Sequence, residues 1–462
     1  MTLSSARAQP SAPLRALHRE RAAAADRAWI VEMLAVVNAV VIVGMWVRHG
    51  GVSTLGTPGG VATGTGQLTG LLGTYVVLLE LLLMTRLSWL ERAVGLDRLA
   101  IWHRWTGFTA VSLLVGHTVL ITIGYAQSAH VSLWSQTSDF VRNYADVLMA
   151  FVALALLVAL AVTSVRAARR RLQRETWYFV HLYAYLAVVL GFAHQLAVGN
   201  DFVTDRLARV YWVGLFVAAA VIVIASRVAS PLAFNARHRL RVRNVVREAP
   251  DVVSIIISGH ELDRMSARAG QFFLWRFLTP EGWWKAHPLS LSAAPTKNLL
   301  RITVKDLGDT THRLQRVRPG TRVFAEGPFG TFTARRRSGR ALLLIAGGIG
   351  ITPLRALLDE MPRGTACTLL YRVNADDDIV FARELREIAD AKGIEVICLT
   401  GFEIGDDQTD RLGIPMLRRL VPDIRNRDCF VCGPPAMIAA VRRRLHALGV
   451  PDSSVHFERF EF

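Results

Sequence analysis

The sequence predicts a membrane α-helical bundle of six spans, followed by a small antiparallel β-barrel and an α/β nucleotide-binding domain. Three observations lead there. Six apolar runs of membrane length precede residue 228. From Leu240 onward, short alternating strands are separated by turn residues. After Arg340 the pattern becomes strand, Gly-rich turn, helix and strand, as in a parallel sheet. With 52% hydrophobic and 20% charged residues among 462, the chain is too apolar for a soluble protein and too charged for a membrane protein throughout. The expected units are a tail over 1–28, a membrane domain over 29–228, a barrel over 237–336 and a nucleotide-binding domain over 340–462.

Residues 1–28 are polar and Arg/Ala-rich and read as a mostly disordered cytoplasmic tail. The run from Trp29 to Val47 is too long for a signal-peptide core and lacks a convincing cleavage site, so it is expected to stay as a membrane helix. The spans fall at about 29–47, 68–87, 102–124, 145–164, 177–198 and 207–226. Segments 1–28, 86–101, 165–176 and everything after 226 are Arg-rich, whereas 48–67, 126–144 and 199–206 are Gly/Ser/Thr-rich or carry few cations. Six spans with both termini cytoplasmic satisfy that bias at every loop.

The formal net charge is +17, which raises the question of nucleic-acid binding. The cations, however, gather in short loops beside the spans, notably Arg166, Arg169, Arg170, Arg171 and Arg174, as expected for cytoplasmic loops. Membrane lipid is therefore an expected partner and nucleic acid is not. Cys367, Cys398, Cys429 and Cys432 all fall in the half placed in the reducing cytoplasm, which argues against disulfides. Cys429 and Cys432 form a CxxC on an expected strand with no second pair, which argues against zinc.

Four histidines stand on two of the spans: His103 and His117 on the third, 14 residues apart, and His181 and His194 on the fifth, 13 apart. At about 1.5 Å per residue, each pair covers roughly 20 Å, enough to stack two haems across a hydrocarbon core of about 30 Å. The orientation puts His103 and His181 near the cytoplasmic side and His117 and His194 near the outer side. One such histidine is readily satisfied by a neighbouring helix; four at matched depths point to ligation, because intramembrane ionisable groups are costly. A step of 14 returns to within about 40° of the same face, but 13 misses by about 140°. The fifth span is therefore expected to need a kink, a π-bulge with Gly191 as its weak point, or a different approach of the ring. Gly107, Gly116 and Gly191 make room for a flat macrocycle or simply let helices approach. Arg104 either pairs with a haem propionate or snorkels to headgroups. His18, His49, His130, His238 and His260 are expected to face solvent.

Strands are expected at Leu240–Val246, Val252–Ser258, Gln271–Arg276, Leu300–Val304 and Arg322–Glu326. Between them, His287, Pro288, Leu289, Ser290, Leu291 and Ser292 offer alternate hydroxyls and backbone amides that can hold a flavin and its phosphate. Gly308, Asp309 and Thr310 form a Gly turn at a helix start, where free N–H groups and the dipole favour pyrophosphate. Either stretch alone is also compatible with an ordinary strand edge or cap. Glu326–Phe332 makes a turn that can close the barrel over a ring. The strand Ala341–Ala346 leads into Gly347, Gly348, Gly350, Thr352 and Pro353, a turn permitting close approach of a dinucleotide phosphate. Arg372 ends the next strand, where it can pair with the 2′-phosphate of NADPH, while Asp376–Asp378 keep NADH open. Cys432, Gly433 and Pro434 stand at the carboxyl end of a later strand, and Phe462 either covers a flavin or caps a core.

From about residue 29 onward the chain resembles the NADPH oxidase and ferric reductase superfamily. The four histidine positions, the motif from His287 to Ser292, Gly327-Pro-Phe-Gly330, the turn from Gly347 to Pro353 and Cys432-Gly-Pro-Pro435 occur in that family's order. The resemblance implies a ferredoxin-NADP reductase-like soluble module with FAD on the barrel, NADPH or NADH on the last domain, and two b-type haems in the bundle. It implies that His287 to Ser292 contact the flavin, and that Gly347 to Pro353, Arg372 and Cys432 to Pro434 contact the nicotinamide nucleotide. Phe462 would stack on the flavin, with Cys432 also at the hydride-transfer site.

The activity so implied passes electrons from cytoplasmic NAD(P)H through FAD, the inner haem and the outer haem to an acceptor outside. Oxygen is the leading acceptor; a ferric chelate, a quinone or a partner protein are the alternatives. Superoxide-forming relatives often carry a further His where this chain has Ile121, and an outer Arg for which Arg48 is the nearest substitute. A haem-bearing electron donor serving a partner enzyme and a transporter with a regulatory nucleotide domain are rival classes. No obligatory protein partner and no EF-hand-like regulatory segment are evident, so a constitutive enzyme is expected.

Overall fold

The computed structural model describes residues 12–85, 87, 89–90, 94, 96–144, 146–165, 174–198, 205–401 and 410–459. The chain divides into two compact units, one of Ala25–Val228 and one built on Ala229–Phe462.

The first unit is helical. Its long helices are α1 (Ala12–Arg48), α2 (Gly60–Leu83), α3 (Leu96–Ala129), α5 (Val147–Ser164), α6 (Arg174–Val198) and α7 (Arg206–Ile224), with the short α4 (Leu133–Asn143) between α3 and α5. Six of the described helices are long and apolar enough to cross a membrane, at the expected places in the chain. Two boundaries differ from expectation. Helix α1 begins at Ala12, so residues 12–28 are helical rather than disordered, in keeping with the helix propensity of their Ala, Leu and Arg content. Helix α2 begins at Gly60, so the Gly/Thr-rich stretch before residue 68 is helix and not loop. Its small residues let α3 approach: an added Cβ at Gly66 would stand 3.0 Å from the Ile121 nitrogen, and one at Gly124 would stand 2.6 Å from the Thr63 nitrogen.

Within the expected outer loop, α4 is capped by Ser132, whose Oγ accepts from the Ser135 N–H at 3.2 Å. Its Phe140 is buried edge-on against Tyr125 and Tyr144, with ring centroids 5.2 and 5.1 Å away. Helix α6 is continuous over its whole length, with no π-bulge at Gly191; a π-helical turn lies instead at Ala225–Ala229, after α7. Arg166, Arg169, Arg170 and Arg171 lie outside the described residues.

The second unit opens with α8 (Ser230–His238) and the strands β1 (Arg241–Ala249), β2 (Val252–Ser258), β3 (Phe272–Phe277), β4 (His287–Ser290), β5 (Leu299–Lys305) and β6 (Val323–Phe329), with α9 (Asp309–Leu314) between the last two. They form two antiparallel three-stranded sheets, β1-β2-β5 and β4-β3-β6. Bridges from Arg241 to Arg322 and from Leu291 to Ile302 join the sheets. Alternate residues of β3 turn inward, and Phe273, Trp275, Ile255, Ile257, Leu291 and Ile302 fill the interior.

Next come β7 (Ala341–Gly347), α10 (Ile351–Glu360), β8 (Cys367–Val373), α11 (Ala382–Lys392), β9 (Glu395–Thr400), α12 (Ile414–Leu420), β10 (Arg427–Gly433), α13 (Pro435–Ala447) and β11 (Val455–Arg459). The sheet is parallel in the order β11-β10-β7-β8-β9. Strand β7 is covered on both faces, Leu342 and Leu344 facing one core and Leu343 and Ile345 the other. The strand order reverses between β7 and β10, which places the ligand crevice at their carboxyl ends.

Candidate functional site

In the first unit, α3 and α6 bring the four histidines into two pairs. The rings of His103 and His181 have centroids 6.0 Å apart with 67° between planes, and Trp177 stacks on His181 at 4.8 Å. Two imidazoles bound to one metal at about 2.0 Å each would have centroids roughly 6 Å apart. His117 and His194 line one cavity of about 300 Å³. The Nδ1 of His117 donates to the Gly66 carbonyl at 2.8 Å, which fixes the proton on Nδ1 and leaves the Nε2 lone pair for a ligand. An added Cβ at Gly70 would stand 2.5 Å from that Nδ1, so only glycine admits the ring here. One residue after His194, the Gln195 side-chain amide donates to Thr74 Oγ1 and ties α6 to α2.

The Nδ1 atoms of His181 and His194 are buried with no hydrogen-bond partner among the described residues. Two imidazoles with centroids 6.0 Å apart and two more lining one cavity, with no hydrogen bond at the Nδ1 of His181 or His194, fit bis-histidine haem ligation. An added Cβ at Gly116 or Gly191 would meet no atom within 4 Å, so neither glycine serves a close helix contact. Gly107 does lie near another helix, its added Cβ 3.3 Å from Glu80 Oε2. Arg104 is exposed.

His130 and His260 are exposed as expected, but two other histidines are not. His49 lines the same cavity, with its Nε2 2.7 Å from Asp205 Oδ2, because the end of α1 and the cap of α7 meet there. His238 is buried, with its Nδ1 2.8 Å from the His260 carbonyl, because α8 packs on the barrel. His18 belongs to the stretch whose side chains lie outside the described residues. Arg48 is largely exposed and reaches Asp205 at 3.6 Å, and Ile121 lines the cavity.

In the second unit, β4 is an edge strand that pairs with β3, setting Ser290 opposite Phe272 and His287 opposite Trp275. Ser290 Oγ is buried with no partner among the described residues, as a ligand-facing hydroxyl would be. Ser292 is fully buried and its Oγ accepts from Thr303 at 2.8 Å, so that hydroxyl is engaged within the core. Pro288 and Leu289 are half-buried, and Leu291 is interior. At the expected phosphate turn, Gly308 has φ 137 and precedes a helix of six residues with Asp309 in its first turn. Thr311 Oγ1 accepts from the Leu307 N–H at 2.7 Å and donates to the Gly308 carbonyl at 3.0 Å. The Thr310 side chain lies outside the described residues.

The reversal point of the parallel sheet is built from glycines. An added Cβ at Gly347 would stand 2.5 Å from Met437 Sδ, one at Gly350 2.3 Å from the Cys432 carbonyl, and one at Gly433 3.1 Å from Gly347 Cα. Gly348 adopts a positive φ of 53. Thr352 Oγ1 donates to the Ile349 carbonyl at 3.0 Å, Pro353 is buried in the first turn of α10, and Pro434 caps α13. Cys432 is fully buried, and burial together with nearby Glu458 holds its thiol well above the usual range, so the group is neutral. Arg372, one residue before the end of β8, is in register with Gly347 and reaches the Gly401 carbonyl at 3.5 Å. Phe462 lies outside the described residues.

Sequence reasoning assigns no role to Gly66, Gly70 or Glu80, although an acidic residue inside an apolar span is a signal in itself. It also misses the ion-pair network beside the motif of β4. Arg301 grips Glu384 at 2.7 and 2.9 Å and donates to the Ser292 carbonyl at 2.9 Å. Arg355 reaches Glu384 at 2.8 Å and the same carbonyl at 3.2 Å, and also pairs with Asp359. Asp359 Oδ2 accepts from the Ala294 N–H at 2.9 Å.

Residues 69–192 match the family described as ferric reductase like transmembrane component, and residues 344–443 match the oxidoreductase NAD-binding domain. The first stretch contains His103, His117 and His181, with His194 just beyond it. The chain is 30% identical over 233 residues to the ferredoxin reductase component of 3-ketosteroid-9-alpha-monooxygenase from Mycolicibacterium smegmatis, covering 48% of this chain and 65% of that protein. It is 28% identical over 219 residues to the NADH oxidoreductase HCR of Escherichia coli, covering 46% of this chain and 65% of that protein. The chain thus spans just under two thirds of the length of each of these relatives. A solved ferredoxin NADP+ reductase from Neisseria gonorrhoeae, with bound FAD and NADP, aligns over 48% of this chain and 98% of that one at 18% identity and TM-score 0.41. Apolar membrane-length helices that match a ferric reductase like transmembrane component, followed by an oxidoreductase NAD-binding domain, define a multi-pass membrane protein with a nucleotide-binding module. In both content and order, the two domains match the chain to the NADPH oxidase and ferric reductase superfamily.

Proposed function

We propose that this protein carries electrons from cytoplasmic NAD(P)H, through FAD and two bis-histidine b-type haems, to an acceptor on the opposite membrane face, with oxygen the leading acceptor. The pairing of His103 with His181 and of His117 with His194 on two helices carries this reading. FAD held beside Ser290 would supply hydride acceptance and single-electron release, and haems held by the four histidines would supply one-electron transfer. The balance is one NAD(P)H and two O2 giving NAD(P)+, one proton and two superoxide; with ferric chelates, two Fe(III) become two Fe(II).

The chain's own groups bind and orient. Gly347, Gly350 and Gly433 clear the backbone for the nucleotide's phosphates, Arg372 takes the 2′-phosphate, and Ser290 presents a hydroxyl to the flavin. The Gly66 carbonyl holds the His117 tautomer, and the four imidazoles hold the irons. With two histidines holding each haem, an acceptor would be reduced without itself binding the metal. The Arg-rich loops of the sequence support a reading in which both termini are cytoplasmic. Ferric-chelate reduction is the second reading: Ile121 in the outer cavity adds no hydrogen-bond donor for a developing superoxide.

The test is anaerobic reduction of the purified, FAD-supplemented protein by NADPH, followed at the haem α-band. If air then discharges the band with superoxide formed, the protein is an oxidase. Rapid discharge by a ferric chelate alone makes it a ferric reductase, and absence of any α-band removes the haem reading.

A further inference from the structure

We infer that Glu80 is a positioning residue for the inner histidine pair, and that its charge gives electron flow through the bundle its direction. This rests on the haem reading above. Glu80 lies on α2 inside an apolar span, where a carboxylate persists only if engaged. Among the described residues, its partners come from α3. Oε2 stands 2.5 Å from His103 Nδ1, Oε1 accepts from Thr106 Oγ1, and Gly107 clears the space beside it. Residues 103, 106 and 107 share one helix face, so α3 presents a built cradle for this side chain. The ring N–H of His103 is not aligned on the oxygen as a hydrogen bond, and at this separation a modest turn of the ring aligns it.

His117, on the same helix, has a neutral partner, the Gly66 carbonyl at 2.8 Å. The two ligand histidines of α3 thus differ in the charge behind them. A carboxylate at Nδ1 makes an imidazole a stronger donor to iron and favours the ferric form; a carbonyl does so less. Each iron takes up one electron on reduction, so the site favouring the ferric state has the lower potential. The inner site therefore lies below the outer one, and electrons run downhill from His103 and His181 toward His117 and His194.

The test is a redox titration of the purified full chain with dithionite, read at the α-band, with haem content measured alongside. Wild type is expected to show two one-electron waves. Glu80→Gln, nearly isosteric, should raise the lower wave by about 59 mV or more, a tenfold shift in equilibrium, and leave the upper wave in place. Glu80→Asp keeps the charge and should restore part of the difference; if Glu80→Gln loses the inner haem, the partial shift of the lower wave in Glu80→Asp is the supporting result. Waves that stay put in both variants, or that move together, overturn the inference. Wild-type protein without haem absorbance overturns the haem reading itself and the inference with it.

Discussion

Arg372 stands one residue before the end of β8, in register with Gly347, on the carboxyl side of the sheet where folds of this order bind ligands. Of the nearby acids that leave NADH open, Asp378 is already turned to local work. It accepts from the Ala375 N–H at 3.2 Å and pairs with Lys305 at 3.7 Å. The proposed role of the Arg372 guanidinium, pairing with a 2′-phosphate, can therefore be tested against NADH. A hydrogen bond to a charged group is worth about 1.5–3 kcal/mol, or roughly ten- to a hundredfold in affinity. Arg372→Gln is therefore expected to raise KM for NADPH by about tenfold or more while leaving KM for NADH within about twofold. Steady-state kinetics with both nucleotides check this, and an equal rise for both would assign Arg372 to the sheet edge instead.

The close packing of α2 on α3 decides how His117 is held. An alanine at Gly70 would place its Cβ 2.5 Å from His117 Nδ1, nearer than side chains approach, so the ring must leave the Gly66 carbonyl. Gly70→Ala is expected to lower haem content from two toward one per chain by pyridine haemochrome, with helicity retained. Gly44→Ala, whose Cβ would meet no atom within 4 Å, should keep both. Retention of two haems by Gly70→Ala would remove the steric account. The same packing explains a limit of the sequence. Gly60 to Gln67 resemble a loop by composition, yet in a bundle small residues are what let helices touch, and the partner helix is invisible in the local pattern. The 13-residue step from His181 to His194 was legible as a problem but not its solution. Helix α6 stays an unbroken α-helix, and its two rings reach different places, one beside His103 and the other on the cavity shared with His117.

At the scale of the molecule, the apolar spans, the alternating barrel strands and the Gly-rich turn after β7 were all readable, because each is a local pattern imposed by burial. What joins the barrel to the nucleotide-binding sheet was not, because its residues are far apart in the chain: Arg301 on β5 and Arg355 on α10 both donate to the Ser292 carbonyl and both pair with Glu384 on α11. Burial alone would raise the Glu384 carboxyl, but hydrogen bonds and charge from Arg301 and Arg355 outweigh it and hold the group below its usual value. A carboxyl lowered on folding contributes stability that is fully present above its unfolded value of about 4.3. That contribution is lost as pH falls through the lower, folded value. Glu384 is partly exposed, so solvent screens the effect. Melting temperatures of wild type and Glu384→Gln are expected to differ by a few degrees at neutral pH, wild type being the more stable, and to converge as pH drops below about 4. The neutral-pH gap should come with slower flavin reduction by NADPH in the variant, since the same network holds the backbone that follows Ser290 against the nucleotide-binding domain. A gap independent of pH would mean that Glu384 acts through packing and not through its charge.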